Sequence, residues 1–434
     1  MTKFENVRGM RDLLPEDLSK RRVIEEKVRE CFSLYGYGEI ETPLLEYFDL
    51  ITAKAGDEIR HRLYDFKDHG GRRVSLRPEM TAPVARLLSA KLRSETKPLR
   101  LGYIANCFRY DNPQLGRYRE FKQAGFELFG SEHPEADSEI LIIFHDLMRK
   151  LGFKDFIIKI GHIGILKAIL TNEGVEEKDQ NFVMGLLDKR KIKDALSFLS
   201  EFRVSLDCRK NVKKLISLKG NNWIRVITKC SETVCDNDAS LYALNNLEKI
   251  IRLSIDGGVS STLLVDLGFT RSLEYYTGMI FEIFVPTFKL ALGGGGRYDK
   301  LVELFGGEPT PAVGCSPGID RIVLAMENED LFPKKLISSV KILVIPVGAK
   351  LVGNALKVAS LIRSRGISAE VEVSGKSISS ALSYADKKNV PFTLIIGPKE
   401  VNAGSIIFRD MKCKTQMEIP MENITGEIIK KIES

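Results

Sequence analysis

Two segments, LRLGYIANCFRY (99–110) and REFKQAGFELFG (119–130), constrain the fold of this chain most. The short stretch between them holds Asn112, Pro113 and Gly116, which are residue types that favour turns. Two strands joined by a short connection pair antiparallel, because parallel neighbours need a long crossover. The sequence therefore predicts a domain built around an antiparallel sheet.

The second segment carries polar residues where a buried face is expected. In a strand, alternate residues share a face, so Gln123, Gly125 and Glu127 would point the same way, flanked by Phe121 and Phe129. Burying unpaired polar groups costs several kcal/mol, and a glycine leaves room for a ligand against the backbone. We interpret this face as a pocket for a small ligand with an ammonium or similar donor. A solvent-exposed sheet face is the alternative.

Three arginines stand close to that face. Arg109 ends the first strand, and Arg117 and Arg119 lie in the connection or just after it. Guanidinium groups bind carboxylates and phosphates through paired hydrogen bonds. Arginines in loops are commonly only solvated, so they gain meaning here from the acidic strand beside them. Together they form a candidate site for a nucleotide and a small cation.

The segment LRPEMTAP adds a second carboxylate to this set. It reads as the end of a strand, followed by a helix that begins near Thr81. Arg77, Glu79 and Thr81 would then lie together at the strand end. Glu79 would suit the same ammonium group as Glu127.

Three later segments complete the candidate site. RSLEYYTG offers Arg271 with two tyrosines, and AVGCSPGIDR places Arg321 near a helix start, where a phosphate can bind. The glycines 293–296 do not favour regular structure, so they predict either close backbone approach to a ligand or a flexible loop. The chain has neither a Walker motif nor a dinucleotide fingerprint. Phosphate binding must therefore rest on arginines and a sheet.

The 434 residues are enough for two or three domains. Residues 164–260 have helical periodicity and no recognisable chemistry, whereas strands resume after them. From Val340 onward strands and helices alternate, which predicts an α/β unit with a parallel sheet. We expect a catalytic domain over 1–163 and 261–332, a helical insertion domain over 164–260, and a separate domain over 338–434.

Composition bounds the class of protein. The content of 44% apolar and 28% charged residues fits a soluble globular protein, without a signal peptide or an apolar run near the ~18 residues of a membrane span. Net charge is +7, and residues 340–434 hold 14 Lys/Arg against 9 Asp/Glu. That excess favours a polyanionic partner or, equally, a solvated basic surface. Seven scattered cysteines and five histidines without ligand spacing predict free thiols, a cytoplasmic location and no metal site.

Several motifs resemble those of one family. RGMRDLLPED is similar to its N-terminal signature, and ETPLLEYFDLI, FRYDNPQLGRYREFKQAGFELFG and AVGCSPGIDRIVLAME are similar to motifs 1, 2 and 3 of class II aminoacyl-tRNA synthetases. RSLEYYTG and GGGGRYDKL are more specific and resemble the two histidine motifs. KSISSALSYADKKNVPFTLIIGPKE resembles an anticodon-binding domain. Over nearly its whole length the chain resembles the histidyl-tRNA synthetases.

The resemblance implies an α+β fold. Its catalytic core would be a class II six-stranded antiparallel sheet flanked by helices, with a helical insertion and a C-terminal α/β anticodon-binding domain. The protein would be a homodimer through motif 1. It would join L-histidine to tRNA(His) through a histidyl-adenylate formed from ATP, releasing AMP and diphosphate, with Mg²⁺ sharing the phosphate charge.

The resemblance also implies roles for individual residues. Arg109 and Arg271 would be catalytic, with Arg271 near the α-phosphate and the histidine carboxylate. Arg119 would meet the acceptor end of the tRNA. The phosphates of ATP would be bound by Arg109, Arg117 and Arg321. Histidine would be bound by Glu79, Thr81, Arg109, Gln123, Glu127, Arg271, Tyr275 and Tyr276.

Two departures and three alternatives qualify this interpretation. Ser272 and Glu274 stand where the family usually has Gly and Asp, which predicts altered detail rather than lost activity. A regulatory subunit of ATP phosphoribosyltransferase shares the catalytic fold but typically lacks the C-terminal domain and part of the arginine set. A class II synthetase for proline, threonine or glycine would lack the two histidine motifs. A plain RNA-binding or amino-acid-sensing protein would not turn over ATP.

Overall fold

The computed structural model describes residues 4–53, 59–202, 204–259, 263–271, 273–333, 336, 340–424, 426 and 428. The chain divides into two compact units, residues 1–334 and residues 335–434. Among the helices of the described ranges, none combines the length and the apolar character that crossing a bilayer requires.

The first unit is built on a nine-stranded sheet. Its strands, numbered in chain order, lie side by side as β1 (Gly38–Glu39), β5 (Leu99–Phe108), β6 (Glu120–Phe129), β12 (Ala312–Pro317), β11 (Phe288–Arg297), β10 (Met279–Val285), β7 (Ile157–His162), β9 (Leu263–Asp266) and β8 (Lys219–Gly220). The six strands from β5 to β7 in this order pair antiparallel with one another. Strands β1 and β9 add parallel pairs at the flanks. The predicted hairpin and the antiparallel core are confirmed.

A small sheet and several helices surround this core. The small sheet has the order β2 (Leu45–Tyr47), β4 (Arg73–Leu76) and β3 (Asp65–Lys67). The helices of the first unit are α1 (Pro15–Tyr35), α2 (Phe48–Thr52), α3 (Thr81–Lys91), α4 (Pro134–Lys150), α5 (Ile163–Asn172), α6 (Glu177–Asp188), α7 (Ile192–Glu201), α8 (Leu206–Ser217), α9 (Trp223–Thr233), α10 (Asp238–Asp256), α11 (Leu301–Leu304) and α12 (Ile319–Asn328).

Helix α1 shows how sequence signals set these elements. It begins at Pro15, whose fixed φ suits a first helical position, and it ends before Gly36, which adopts a left-handed φ of 72°. Ile24, Val28 and Phe32 recur at helical spacing and are buried. The Phe32 ring lies over Gly102 of β5, where a Cβ atom would clash with it. The apolar stripe thus fixes α1 on the sheet.

The segment that we expected to be a helical insertion holds helices α5 to α10 and the short strand β8. Its buried residues, such as Leu166, Val212 and Leu247, belong to the same hydrophobic cluster as Phe144 of α4 and Ile160 of β7. These helices therefore pack on the sheet through a continuous core. Their action as a separate domain stays a prediction.

The four glycines 293–296 correct one sequence interpretation. They lie inside strand β11 and pair with β10 on one side and β12 on the other. A Cβ atom at Gly295 would clash with the carbonyl oxygen of Gly314, and one at Gly294 with the guanidinium of Arg271. The irregular or flexible interpretation was wrong, because hydrogen bonds from both neighbouring strands outweigh the low strand preference of glycine.

The second unit is a five-stranded sheet with helices. Its spatial order is β14 (Ala369–Val371), β13 (Ile342–Pro346), β15 (Phe392–Ile396), β16 (Ser405–Asp410) and β17 (Gln416–Pro420), with helices α13 (Val352–Arg363), α14 (Ile378–Lys387) and α15 (Pro398–Ala403). Strands β13, β14 and β15 are parallel, as predicted. Strands β16 and β17 continue the sheet antiparallel, which the sequence interpretation did not include.

Candidate active site

Four of the predicted arginines line one cleft over the antiparallel strands. Arg109 follows β5, and Arg117 lies in the β5–β6 loop (residues 109–119). Arg271 precedes β10, and Arg321 belongs to the first turn of α12. Residues more than two hundred positions apart in the chain, such as Arg109 and Arg321, thus converge on one surface, because β12 pairs directly with β6.

Main-chain carbonyl groups orient three of these arginines. Arg321 donates from Nε to the Gly116 oxygen at 3.0 Å and from Nη1 to the Ala291 oxygen at 2.9 Å. Arg109 Nε donates to the Pro78 oxygen at 2.8 Å, and Arg271 Nη1 to the Phe281 oxygen at 3.1 Å. Carbonyl acceptors fix a guanidinium without neutralising its charge. The cleft is therefore preorganised for an anion.

The pKa of Arg321 reflects its burial and the positive charges beside it. Burial, and then the charges of Arg109 and Arg117, lower the pKa of Arg321 to about 10. The side chain still carries its charge at neutral pH, and a polyanionic ligand would relieve the repulsion. Carboxylates also reach the cleft, among them Glu282 of β10, whose Oε2 lies 3.8 Å from Lys159 Nζ. Glu282 was not among the predicted site residues.

Glu127 is buried beneath hydroxyl groups. Thr81 Oγ1 donates to its Oε1 at 3.1 Å, and the hydroxyls of Tyr103 and Tyr298 also donate to the carboxylate. Burial raises the pKa of Glu127 to about 8, although these hydrogen bonds lower it. A cationic or hydrogen-bond-donating ligand would stabilise the ionised form. The expected buried polar group is thus present at Glu127, and hydroxyl groups of the protein are its hydrogen-bond partners.

Gly125 has a different role from the one predicted. A Cβ atom there would overlap the ring of Tyr103, which stands opposite it in the β5–β6 register. The expected ligand gap is therefore filled by an aromatic side chain. Tyr103 and Tyr298 were both missed as partners of Glu127. Pairing β5 with β6 residue by residue would have identified Tyr103, and Tyr298 follows the glycine run by two positions.

Glu79 caps helix α3. Its Oε2 accepts a hydrogen bond from the Thr81 backbone N–H at 2.7 Å, and its Oε1 accepts one from the Ala82 N–H at 2.9 Å. Burial raises the pKa of Glu79, against the opposing effect of these hydrogen bonds. The side chain joins the same buried region as Glu127 through Thr81, which contacts both carboxylates.

Two further tyrosines extend this region toward the arginines. The rings of Tyr275 and Tyr276 lie 4.9 Å apart, and Tyr275 lies 5.8 Å from the Tyr298 ring. The Arg271 guanidinium stands 5.6 Å from the Tyr276 ring centroid. An aromatic cluster thus connects the surroundings of Glu127 with those of Arg271.

The remaining predicted residues divide between the cleft and its periphery. Gln123 lines the cleft, and its Oε1 accepts a hydrogen bond from the Cys107 thiol at 3.2 Å. Arg119 is buried instead, and its guanidinium donates to the carbonyls of Asp111 and Arg8, each at 3.1 Å. Its contact with the tRNA acceptor end stays a prediction. Glu274 lines a second cavity beside Arg271, whereas Ser272 lies outside the described residues.

The side chains in the described part of the chain form no candidate metal centre. There, no three His, Cys, Asp or Glu side chains cluster closely enough to hold an ion. The seven cysteines are free, and Cys235 and Cys413 are the exposed ones.

Comparison with protein families covers both units. Residues 9–322 match the family model described as histidyl-tRNA synthetase, and residues 341–431 match an anticodon binding domain. The histidine–tRNA ligase of Methanocaldococcus jannaschii is 41% identical over 98% of this chain and 99% of its own. That of Pyrococcus furiosus is 38% identical over 97% of this chain and 98% of its own.

Solved structures agree in fold. The histidyl-tRNA synthetase of Nostoc sp. superposes with a TM-score of 0.77 at 20% identity, over 99% of this chain and 100% of that one. A Bacillus halodurans protein, described as an ATP phosphoribosyltransferase regulatory subunit/histidyl-tRNA synthetase, gives 0.76 at 27% identity over 92% and 98%. From these matches and the geometry of its cleft, we conclude that the chain belongs to the histidyl-tRNA synthetase family.

Proposed function

We propose that this chain is a histidine–tRNA ligase, which activates L-histidine with ATP and transfers it to tRNA(His), releasing AMP and diphosphate. The observation that carries the proposal is a cleft in which four arginines converge, namely Arg109, Arg117, Arg271 and Arg321. An aromatic cluster connects this cleft with the surroundings of the buried carboxyl group of Glu127. The two family matches, which cover both units of the chain, support it.

The first step would be adenylation. An oxygen of the histidine carboxylate attacks the α-phosphorus of ATP, an O–P bond forms, and the bond to the leaving diphosphate breaks. No protein nucleophile is needed, so the protein contributes positioning and charge stabilisation. Arg109, Arg117 and Arg321 would bind the phosphates. Arg271 would hold the α-phosphate and the histidine carboxylate together.

Magnesium fits this cleft as a companion of ATP. Mg²⁺ in phosphate sites is commonly held by substrate phosphates and one or two carboxylates. Glu282 lines the cleft from β10 and would supply such a carboxylate. When bound, the ion would neutralise part of the phosphate charge.

Histidine selection would rest on the buried end of the site. Thr81, Gln123, Tyr275 and Tyr276 would surround the amino acid with Glu79 and Glu127. A site that hydrogen-bonds its substrate through buried polar groups strongly rejects analogues that leave them unpaired. The hydroxyl groups that donate hydrogen bonds to Glu127, including that of Tyr298, would either move away when the ligand binds or donate to the carboxylate together with the ligand.

The second step would involve the tRNA. The terminal ribose hydroxyl attacks the carbonyl carbon of the adenylate, and AMP leaves. The basic C-terminal unit would bind the anticodon end, and Arg119 the acceptor end. We further propose that the protein acts as a cytoplasmic homodimer assembled through the segment that resembles motif 1.

The test is histidine-dependent exchange of diphosphate into ATP, measured with a panel of other amino acids. We expect exchange with histidine alone, and a loss of at least about a hundredfold in Arg271→Ala, because a preorganised charge at the reacting phosphate is removed. Arg22→Ala, which changes an exposed arginine of α1, serves as the matched control. Absence of exchange with every amino acid would contradict the proposal.

A regulatory subunit of ATP phosphoribosyltransferase is the second candidate. The Bacillus halodurans protein described partly in those terms supports considering it. Such a protein would show no exchange, and it would bind a phosphoribosyltransferase partner rather than tRNA. The anticodon-binding match over residues 341–431 favours the ligase.

A further inference from the structure

The N-terminal segment Arg8–Arg11 contacts the β5–β6 loop. The Arg119 backbone N–H donates to the Gly9 carbonyl at 2.9 Å, and its Nη1 donates to the Arg8 carbonyl at 3.1 Å. Gly9 has a φ of +84°, and a Cβ atom there would lie 2.8 Å from the Arg119 side chain and 2.9 Å from Pro113. This segment is thus fitted closely to the loop.

Arg11 connects the same loop with helix α12. Its guanidinium carbon stands 3.2 Å from the centroid of the Tyr118 ring. Its Nη2 lies 2.6 Å from Asp320 Oδ1. Tyr118 directly follows Arg117, and Asp320 directly precedes Arg321. One side chain therefore contacts the neighbours of two arginines that line the cleft.

Asp320 is the point where three elements meet. Its carboxylate is buried and also accepts a hydrogen bond from Arg21 of α1 at 2.5 Å. Its second oxygen accepts one from the Lys122 backbone N–H of β6 at 2.7 Å. The carboxylate of α12 is thereby joined to the N-terminal segment, helix α1 and strand β6, which are the three elements that meet it. Charge-assisted hydrogen bonds of this kind are short and directional.

We propose that Arg11 and Asp320 are positioning residues for ATP. They hold the side chains of Arg117 and Arg321 in the positions from which both can bind the nucleotide. The inference rests on the proposed function. Arg11 acts from outside the lining of the cleft, whereas Asp320 is itself one of the residues that line it. Arg11 supports the loop that carries Arg117, and Asp320 fixes the first turn of α12, from which Arg321 reaches the cleft.

The proposal predicts a selective effect on ATP. A small displacement of a substrate-positioning group can cost far more activity than its own contacts. In Arg11→Ala we expect the KM for ATP in the exchange reaction to rise about tenfold, while the KM for histidine stays within about twofold. Arg11→Lys keeps the charge but loses the planar stacking on Tyr118, so it should fall between Arg11→Ala and the wild type.

Asp320→Asn is the second variant, since it keeps the shape and removes the charge that pairs with Arg11 and Arg21. It should raise the KM for ATP at least as much as Arg11→Ala does. Arg22→Ala is the control on the same helix as Arg21 and should leave both KM values unchanged. Thermal unfolding of every variant shows whether it is folded under assay conditions.

The outcomes separate the two levels of inference. No exchange by the wild type would refute the proposed function itself. Wild-type exchange with folded variants in which both KM values rise equally, or neither does, would overturn the positioning role alone. A drop in melting temperature with an unchanged KM for ATP would mark these contacts as purely structural and would likewise contradict the proposal.

Discussion

At the scale of single residues, burial dominates the behaviour of Glu127. Its pKa is raised from 4.5 to about 8, chiefly by burial, whereas that of a carboxyl group in an unfolded chain stays near the lower value. Between these two values the folded protein holds a proton that the unfolded chain has released. Folding stability therefore declines as the pH rises through this window.

Replacing this carboxyl group should remove that dependence. In Glu127→Gln we expect the free energy of unfolding to fall less between pH 5 and pH 8 than in the wild type, by a few kcal/mol. Urea denaturation at the two pH values measures it, with Glu132→Gln at an exposed position as the control. Equal pH dependence in Glu127→Gln and the wild type would contradict the raised pKa. The same variant should lose histidine-dependent exchange.

The sequence predicted a polar residue on a buried face at Glu127, which is observed, but it did not predict the partners of that residue. The role of Glu127 in binding histidine stays a prediction. Period-two alternation predicted that Gln123 and Glu127 share one face of a strand. Strand β6 includes both residues, four positions apart, which places them on the same face. The contacts of Tyr103 and Tyr298 depend on strand register and on a pairing between distant segments, which local pattern does not contain. For the same reason the gap expected at Gly125 is filled by a ring from the neighbouring strand.

At the scale of elements, strand β11 shows composition overridden by its neighbours. Its four glycines have weak strand preference, yet both edges of the strand are hydrogen-bonded. The absence of side chains allows Arg271 and the β12 backbone to approach. Helix α3, which was predicted to begin near Thr81, begins at that residue. Strands β16 and β17 were not predicted.

A pair of glycine substitutions tests this account. Gly295→Ala would place a methyl group against the Gly314 carbonyl, so we expect it to destabilise the protein by about 2 kcal/mol or more. Gly185→Ala in helix α6 meets no atom within 4 Å and should stabilise it by about 0.5–1 kcal/mol. Denaturant unfolding measures both changes. A neutral Gly295→Ala would show that β11 tolerates side chains.

At the scale of the whole molecule, every candidate site residue belongs to the first unit. The second unit has hydrophobic clusters of its own, formed by residues such as Val344, Ile362 and Leu394 on one side and Leu343 and Ala381 on the other. The alternation of strands and helices from Val340 onward predicted a separate domain over 338–434, and the chain divides into its two units between residues 334 and 335. The hydrophobic core that α4 shares with helices α5–α10 could not be predicted, because hydrophobic periodicity does not show which elements pack together.

This division predicts a separation of activities. A chain that ends after residue 334 should retain histidine-dependent exchange of diphosphate into ATP, because it keeps the whole cleft. It should aminoacylate tRNA at least about a hundredfold more slowly, since the basic unit is missing. Exchange and charging assays on the same preparation measure both. Loss of exchange by a folded, truncated chain would contradict the assignment of the site to the first unit.

The place of β12 between β6 and β11 has a consequence for biosynthesis. The ribosome delivers β6 at residues 120–129, but its partner β12 only at 312–317, on the order of ten seconds or more later at common rates of translation. Until then one edge of β6, with its glutamate and phenylalanines, has no strand beside it. A nascent chain with such an open edge is a candidate client for chaperones that bind emerging polypeptides.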